Sequence, residues 1–230
     1  SMCQEISEMI KAVIFDMYET LITHFKAPLY FGSEMARDAG VTDEEFLPIW
    51  RVTEVDRSTG KIPMDKAIDD VLLKLGVYSE TLSKTIYNKR RENKIECFRH
   101  LHEGIIPMLD GLKERGVKVA LISNCFTEEA EVIRESCLFP YFDKAFLSCE
   151  QGVCKPDREI FDRCINALGV APEECLYVGD GGSHELEVAQ SLGMKPLQAT
   201  WYLVKGTKQP VWKLDEFLQL EKPQDVWQFL

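Results

Sequence analysis

The chain carries eight cysteines but no Cys-x-x-Cys pair, no excess of basic over acidic side chains, and no apolar run long enough to span a bilayer. Each lack excludes a class. Cys3, Cys97, Cys125, Cys137, Cys149, Cys154, Cys164 and Cys175 have no paired metal-ligand spacing, so they read as free thiols rather than a structural zinc site. With 27 Lys and Arg against 38 Asp and Glu, a net charge of -11, the chain lacks the clustered cations that a nucleic-acid backbone requires. A small ligand is compatible with that charge. Without a spanning segment, or a basic stretch leading into an apolar signal core, neither a membrane helix nor a secretory signal is predicted. Together with the unpaired thiols this predicts a reducing, cytoplasmic setting. Ser1 before Met2 reads as an expression scar, and the first few residues are set aside.

What is present is enough apolar residue, 45% of 230, for one substantial core and an insert. Ile10–Asp16 is a short β-branched apolar run closed by an acid, the pattern of a buried parallel strand with Asp16 at its carboxyl end. The next such run, Val117–Ser123, comes about a hundred residues later, after a helical segment from Ile106 to Arg115 that Gly116 would stop. Lys144–Ser148, Cys175–Asp180 and Met194–Thr200 read as further strands. Between them, Thr127 is expected to cap a helix over Glu128–Ser136, Asp157 to open one toward Leu168, and Ser183 or His184 one toward Leu192. Such alternation predicts an α/β fold, a doubly wound, Rossmann-like parallel sheet whose ligands bind beyond the strand carboxyl ends. Asp16, Ser123 and Asp180 would meet there.

No strand pattern occurs from about Thr23 to Arg99, where four helical periods fit, around Leu29–Ala39, Asp43–Asp56, Asp65–Leu75 and Ser79–Asn93. Thr42-Asp-Glu-Glu45 has the form of a capping box. The expected organisation is a core of residues 6–22 plus 100–230, interrupted by a helical cap over residues 23–99.

Phe15-Asp16-Met17-Tyr18-Glu19-Thr20-Leu21 resembles the first motif of the haloacid dehalogenase superfamily, Ser123-Asn124 the second, Lys155-Pro156-Asp157 the third, and Gly179-Asp180-Gly-Gly-Ser-His-Glu185 the fourth. Each alone is weak, since a strand-end Asp or Ser is commonly a turn or cap; four in family order, with a cap between the first two, are specific. The resemblance covers roughly Ile10 to Thr200 and implies a hydrolase in which the Asp16 carboxylate forms a covalent intermediate. It further implies a Mg²⁺ ion held by Asp16, the backbone carbonyl of Tyr18 and Asp180, with Glu185 as ligand or orienter. Lys155 would offset the remaining negative charge, and Ser123, Asn124 and their amides would hold phosphate oxygens of a small phosphorylated substrate.

Tyr18 departs from the phosphatase pattern, which places a second Asp there as acid and base. A phenol of pKa about 10 is only about one part in a thousand ionised at pH 7, and losing acid–base help typically costs about 10² to 10⁴ in rate. Tyrosine here is characteristic of the superfamily's metal-independent 2-haloacid dehalogenases, whose halide leaves without a proton. In that alternative Arg51, following Trp50, would receive the halide or the substrate carboxylate. Those enzymes, however, generally carry serine where this chain has Asp180, and a phosphatase reading is favoured. A third possibility is a weakly active binding module that keeps the anion site. Glu19 stands where the family commonly has glycine. Arg51, Arg57 and Lys61 are candidates for setting specificity, and the aromatic tail from Val204 to Leu230 is expected to pack on the core of a monomer or homodimer.

Overall fold

Val13 and Phe15 point to one side of the first strand and Ala12 and Ile14 to the other, and all four are wholly buried, so the strand must lie between two apolar layers. The computed structural model of the chain describes residues 9–203 and 212–230. Residues 6–8 of the expected core and the start of the tail, 204–211, lie outside the described residues. The first strand, β1 (Ala12–Phe15), is followed by five helices, α1 (Gly32–Asp38), α2 (Asp43–Arg51), α3 (Glu54–Ser58), α4 (Met64–Lys74) and α5 (Glu80–Cys97). Then come α6 (Ile105–Glu114), β2 (Lys118–Ser123), α7 (Thr127–Glu135), β3 (Lys144–Leu147), the single turn α8 (Ser148–Gln151) and α9 (Arg158–Leu168). The chain closes with β4 (Cys175–Gly179), α10 (Glu185–Leu192), β5 (Lys195–Ala199), β6 (Leu218–Leu220) and a 3-10 turn over Pro223–Phe229.

All neighbouring strands are parallel, in the order β3-β2-β1-β4-β5-β6. The chain therefore leaves β1 toward one side of the sheet and returns beside it as β4, a topological switch point that opens a crevice at the strand carboxyl ends. One face of the sheet packs on α6, α7 and the 3-10 turn through Leu109, Ile133 and Val226; the other packs on α9 and α10 through Phe161, Ile165 and Leu186. The five helices inserted after β1 have an apolar cluster of their own, centred on Met35, Phe46, Met64, Ile68 and Ile86.

Several expected boundaries shift for local reasons. The helix anticipated over Asp43–Asp56 breaks after Arg51 because the Trp50 carbonyl is taken by the Thr53 hydroxyl at 2.9 Å and the Arg57 guanidinium at 3.1 Å. The Thr42 capping box forms as expected. Thr127 is instead the first helical residue, after Phe126, and its hydroxyl accepts the Met64 N–H at 2.9 Å, tying the insert to the core. A strand in the tail was not anticipated: three residues form β6 beside β5. Phe217, Leu220 and Val226 are buried against the core, while Trp212 stays 68% exposed.

Candidate active site

Asp16 follows directly on β1, its N–H donating to the Val178 carbonyl at 3.0 Å, so the central ladder carries its backbone to the crevice. Its Oδ1 accepts from its neighbour's backbone N–H, Met17, at 2.8 Å and from Lys155 Nζ at 2.8 Å. Lys155 also reaches the Tyr177 hydroxyl at 3.2 Å and is only 3% exposed. Burial pulls the Lys155 ammonium down, but Asp16 and Glu185 push it further up, and it remains charged. Asn124 holds this lysine in place. Its amide donates to the Lys155 carbonyl at 2.9 Å and accepts the Lys155 N–H at 2.8 Å, so the side chain expected to touch phosphate is engaged with the backbone of the third motif. Ser123 ends β2 fully buried, with a weak 3.5 Å bond to the Asn124 carbonyl.

Asp180 follows directly on β4, the neighbour of β1 on the side away from β2. Asp16, Asp180 and Glu185 each bring a carboxylate oxygen within 4.8 Å of the other two. Burial raises Asp180 well above the usual carboxylate range, and Asp16 and Glu185 add to the rise; Asp16 is raised for like reasons, with Lys155 opposing. Both oxygens of Glu185 accept backbone N–H groups, from Gly181 and Ser183, each at 2.8 Å, so Glu185 folds the loop that presents Asp180. Gly179 makes room for it: a Cβ there would lie 2.7 Å from Glu185 Oε1. Gln198, which carries no sequence signal, donates from Nε2 to the Asp180 carbonyl at 3.0 Å and to the Trp212 carbonyl at 2.7 Å. His184 is exposed at the helix start. Three buried carboxylates beside one lysine leave surplus negative charge, and the oxygen donors suit a hard divalent cation.

Glu19 adopts φ 60°, the left-handed conformation that favours glycine. Its carboxylate offsets the strain by accepting from the Thr23 hydroxyl at 2.7 Å and the His24 N–H at 2.9 Å. Tyr18, just before it, turns its ring onto His24, with centroids 4.8 Å apart. Burial and then the Glu129 carboxylate raise the Tyr18 phenol well above 10. Its hydroxyl makes no well-formed hydrogen bond among the described residues.

Tyr18 and Asn124 also form one wall of a pocket of about 470 Å³ between the insert and the core. Arg90 and Lys94 of α5 enter it and pair with Glu128 at 2.8 Å and Glu129 at 3.6 Å on α7. Arg51 lies exposed at its mouth, whereas Arg57 is turned inward and only 4% exposed. Lys61 is exposed and does not line this pocket. Sequence reasoning missed Arg90 and Lys94 because a helix face directed at a partner helix looks like a solvated one until the partner is known.

A family model for haloacid dehalogenase-like hydrolases matches residues 10–193. The chain belongs to the haloacid dehalogenase-like hydrolases. Similar proteins include the glyceraldehyde 3-phosphate phosphatase of Methanocaldococcus jannaschii, 28% identical over 193 residues, 81% of this chain and 83% of that protein. The phosphoglycolate phosphatase of Aquifex aeolicus is 31% identical over 157 residues, 63% of this chain and 71% of that protein. Among solved structures, a haloacid dehalogenase family enzyme from Bacteroides thetaiotaomicron, in complex with magnesium and inorganic phosphate, has a TM-score of 0.66 at 20% identity, covering 87% of this chain and 98% of that one. A 2-haloacid dehalogenase from Pseudomonas syringae has a TM-score of 0.67 at 22% identity, covering 96% and 97%. At these identities the two structures speak for the shared α/β fold. Among the described residues no helix is long and apolar enough to cross a membrane.

Proposed function

We propose that this haloacid dehalogenase-like hydrolase is a Mg²⁺-dependent phosphatase of a small phosphorylated metabolite, with Asp16 as the covalent nucleophile. The observation that carries the reading is Asp180 beside Asp16 and Lys155: a second buried carboxylate has no use in a metal-free displacement and only repels the nucleophile. Asp16, Asp180 and the Tyr18 carbonyl would hold the ion, with Glu185 orienting the Asp180 loop, and the ion would supply the charge that lets an anionic substrate approach carboxylates. Lys155 and the Met17 N–H fix the Asp16 carboxylate for in-line attack on phosphorus. The bond from phosphorus to the leaving oxygen breaks, and water then hydrolyses the aspartyl phosphate. Ser123 and the adjacent amides face the phosphoryl oxygens, with Asn124 acting by positioning Lys155. The residues inserted over 23–99 form the cap that sets specificity.

Tyr18 shapes the substrate range. A phenol held well above 10 stays protonated and cannot serve as base, and Glu129 rather than Asp16 is the foremost charge acting on it. Substrates with good leaving groups, such as acyl or aryl phosphates, therefore suit this site better than simple alkyl phosphates. Tyr18 is also the feature that favours a 2-haloacid dehalogenase; against that reading stand Asp180 and the exposed Arg51. The deciding experiment compares phosphate release from an aryl phosphate, with Mg²⁺ and with a chelator, against chloride release from 2-chloropropionate. Mg²⁺-dependent phosphate release that Asp16→Asn abolishes is expected. Chloride release unaffected by chelation would overturn the proposal.

A further inference from the structure

The pocket between the insert and the core holds more cationic charge than it neutralises. Arg57, Arg90 and Lys94 are buried in or beside it with Glu128 and Glu129, so three positive charges face two negative ones. With Arg51 and Glu54 at the mouth included, four cations face three carboxylates, and Glu54 is the foremost carboxylate acting on Arg57. Arg90 and Lys94 each have a carboxylate partner; Arg57 has none within ion-pair distance among the described residues. Its Nε donates to the Thr53 hydroxyl at 2.9 Å and its Nη2 to the Trp50 carbonyl at 3.1 Å, which leaves the Nη1 group uncommitted. The guanidinium carbon lies 4.0 Å from the Trp50 ring centroid and 4.7 Å from that of Phe126, so two aromatic rings pack against the cation. A buried cation left without a counter-charge is costly unless a ligand supplies one. Two further polar atoms with no hydrogen-bond partner among the described residues, Tyr18 Oη and His24 Nε2, belong to residues that line the same pocket.

We infer that Arg57 is the receptor for a carboxylate on the substrate, so that the molecule hydrolysed is a small phosphorylated carboxylic acid. The phosphoryl end would lie at Asp16 and the carboxylate on Arg57; this placement rests on the phosphatase reading above. A single surplus positive charge matches a carboxylate rather than a second phosphoryl group, which carries nearly twice the charge. About 470 Å³ is also the scale of a small metabolite rather than a nucleotide-bearing cofactor or a polymer segment. The hydrogen bonds from Nε and Nη2 fix the guanidinium's orientation, so the contact is directional and lysine would not reproduce it.

The test uses the full chain with Mg²⁺ and matched alkyl phosphates, slow substrates read only as a ratio within each pair, in which a carboxylate replaces a hydroxymethyl group: 2-phosphoglycolate against 2-hydroxyethyl phosphate, and 3-phosphoglycerate against glycerol 3-phosphate. A hydrogen-bonded ion contact of this kind predicts a kcat/KM preference for the carboxylated member of about 10- to 100-fold. In Arg57→Gln the ratio should fall toward unity, and in Arg57→Lys it should be only partly restored. Because Arg57 variants can fail to fold, the wild-type protein supplies an independent arm: phosphonoacetate should inhibit aryl phosphate hydrolysis at least about 10-fold more tightly than ethylphosphonate. Aryl phosphate hydrolysis with no preference in either arm overturns the carboxylate assignment and leaves the phosphatase reading standing. A preference for propane-1,3-diol bisphosphate over both carboxylates would also overturn it, in favour of a second phosphoryl group. If no phosphate is released from any compound, the phosphatase reading fails, and calorimetric binding of phosphonoacetate against ethylphosphonate still decides the subsite.

Discussion

Replacing Arg90 with Met tests whether the buried ion pair between insert and core holds the pocket together. Arg90 is 3% exposed, and its Nε and Nη2 both donate to Glu128 Oε1, at 3.1 and 2.8 Å. Glu128 is 0% exposed, so the substitution leaves a carboxylate buried without its cation. Breaking one side of such a pair costs about 3–5 kcal/mol, a large fraction of the roughly 5–15 kcal/mol that holds a domain folded. Burial already raises the Glu128 carboxyl above its ordinary range against the pull of Arg90, and without that pull it rises further. A carboxyl raised in the folded state binds its proton more readily there than when unfolded. The penalty is therefore largest above that raised value and shrinks as the pH falls toward the unfolded value of about 4.3. Urea unfolding at about pH 7.5 and about pH 5 should show the larger loss at the higher pH, and Arg90→Met with Glu128→Leu should recover most of it. A loss below about 1 kcal/mol at the higher pH, or a double variant no more stable than the single one, would refute the reasoning.

Asp180→Asn relieves carboxylate repulsion, so in a chelator it should raise Tm while removing the stabilisation that Mg²⁺ gives the wild-type chain; thermal unfolding with and without the ion checks both. Asp180 is raised in the folded state, so the chelated wild-type protein should also gain stability from this group as the pH falls from about 7.5 toward 5.5, a trend that Mg²⁺ should flatten. Glu19→Ala loses the bonds to Thr23 and His24 while keeping a strained φ, whereas Glu19→Gly sheds about 1 kcal/mol of that strain, so chemical denaturation should rank the glycine variant the more stable. Gly111→Ala would bring a Cβ to 2.6 Å from the Trp227 ring, and the crowding should cost about 1–3 kcal/mol and expose the C-terminal turn to proteolysis.

The sequence by itself determined the parts whose signals are local. Short apolar runs closed by Asp16, Ser123 and Asp180 are legible because a strand buried on both faces needs uninterrupted apolar residues and a polar one where it leaves the sheet. Glu19 stands where the family commonly has glycine, and the structure gives it the left-handed φ of 60° that glycine favours. What only the tertiary structure decided depends on which surfaces meet. Arg51 and Arg57 are six positions apart and chemically alike in sequence, yet the break in the helix after Arg51 leaves one at the pocket mouth and folds the other under Trp50. Arg90, Lys94, Glu128 and Glu129 read as four ordinary helix-surface charges until α5 and α7 pack together and remove them from water. Gln198 reaches the Asp180 loop through sheet neighbours separated in the chain. Strand, turn and cap preferences are properties of a few consecutive residues, whereas burial of a charge is a property of two surfaces, and the second surface is absent from any local stretch of sequence.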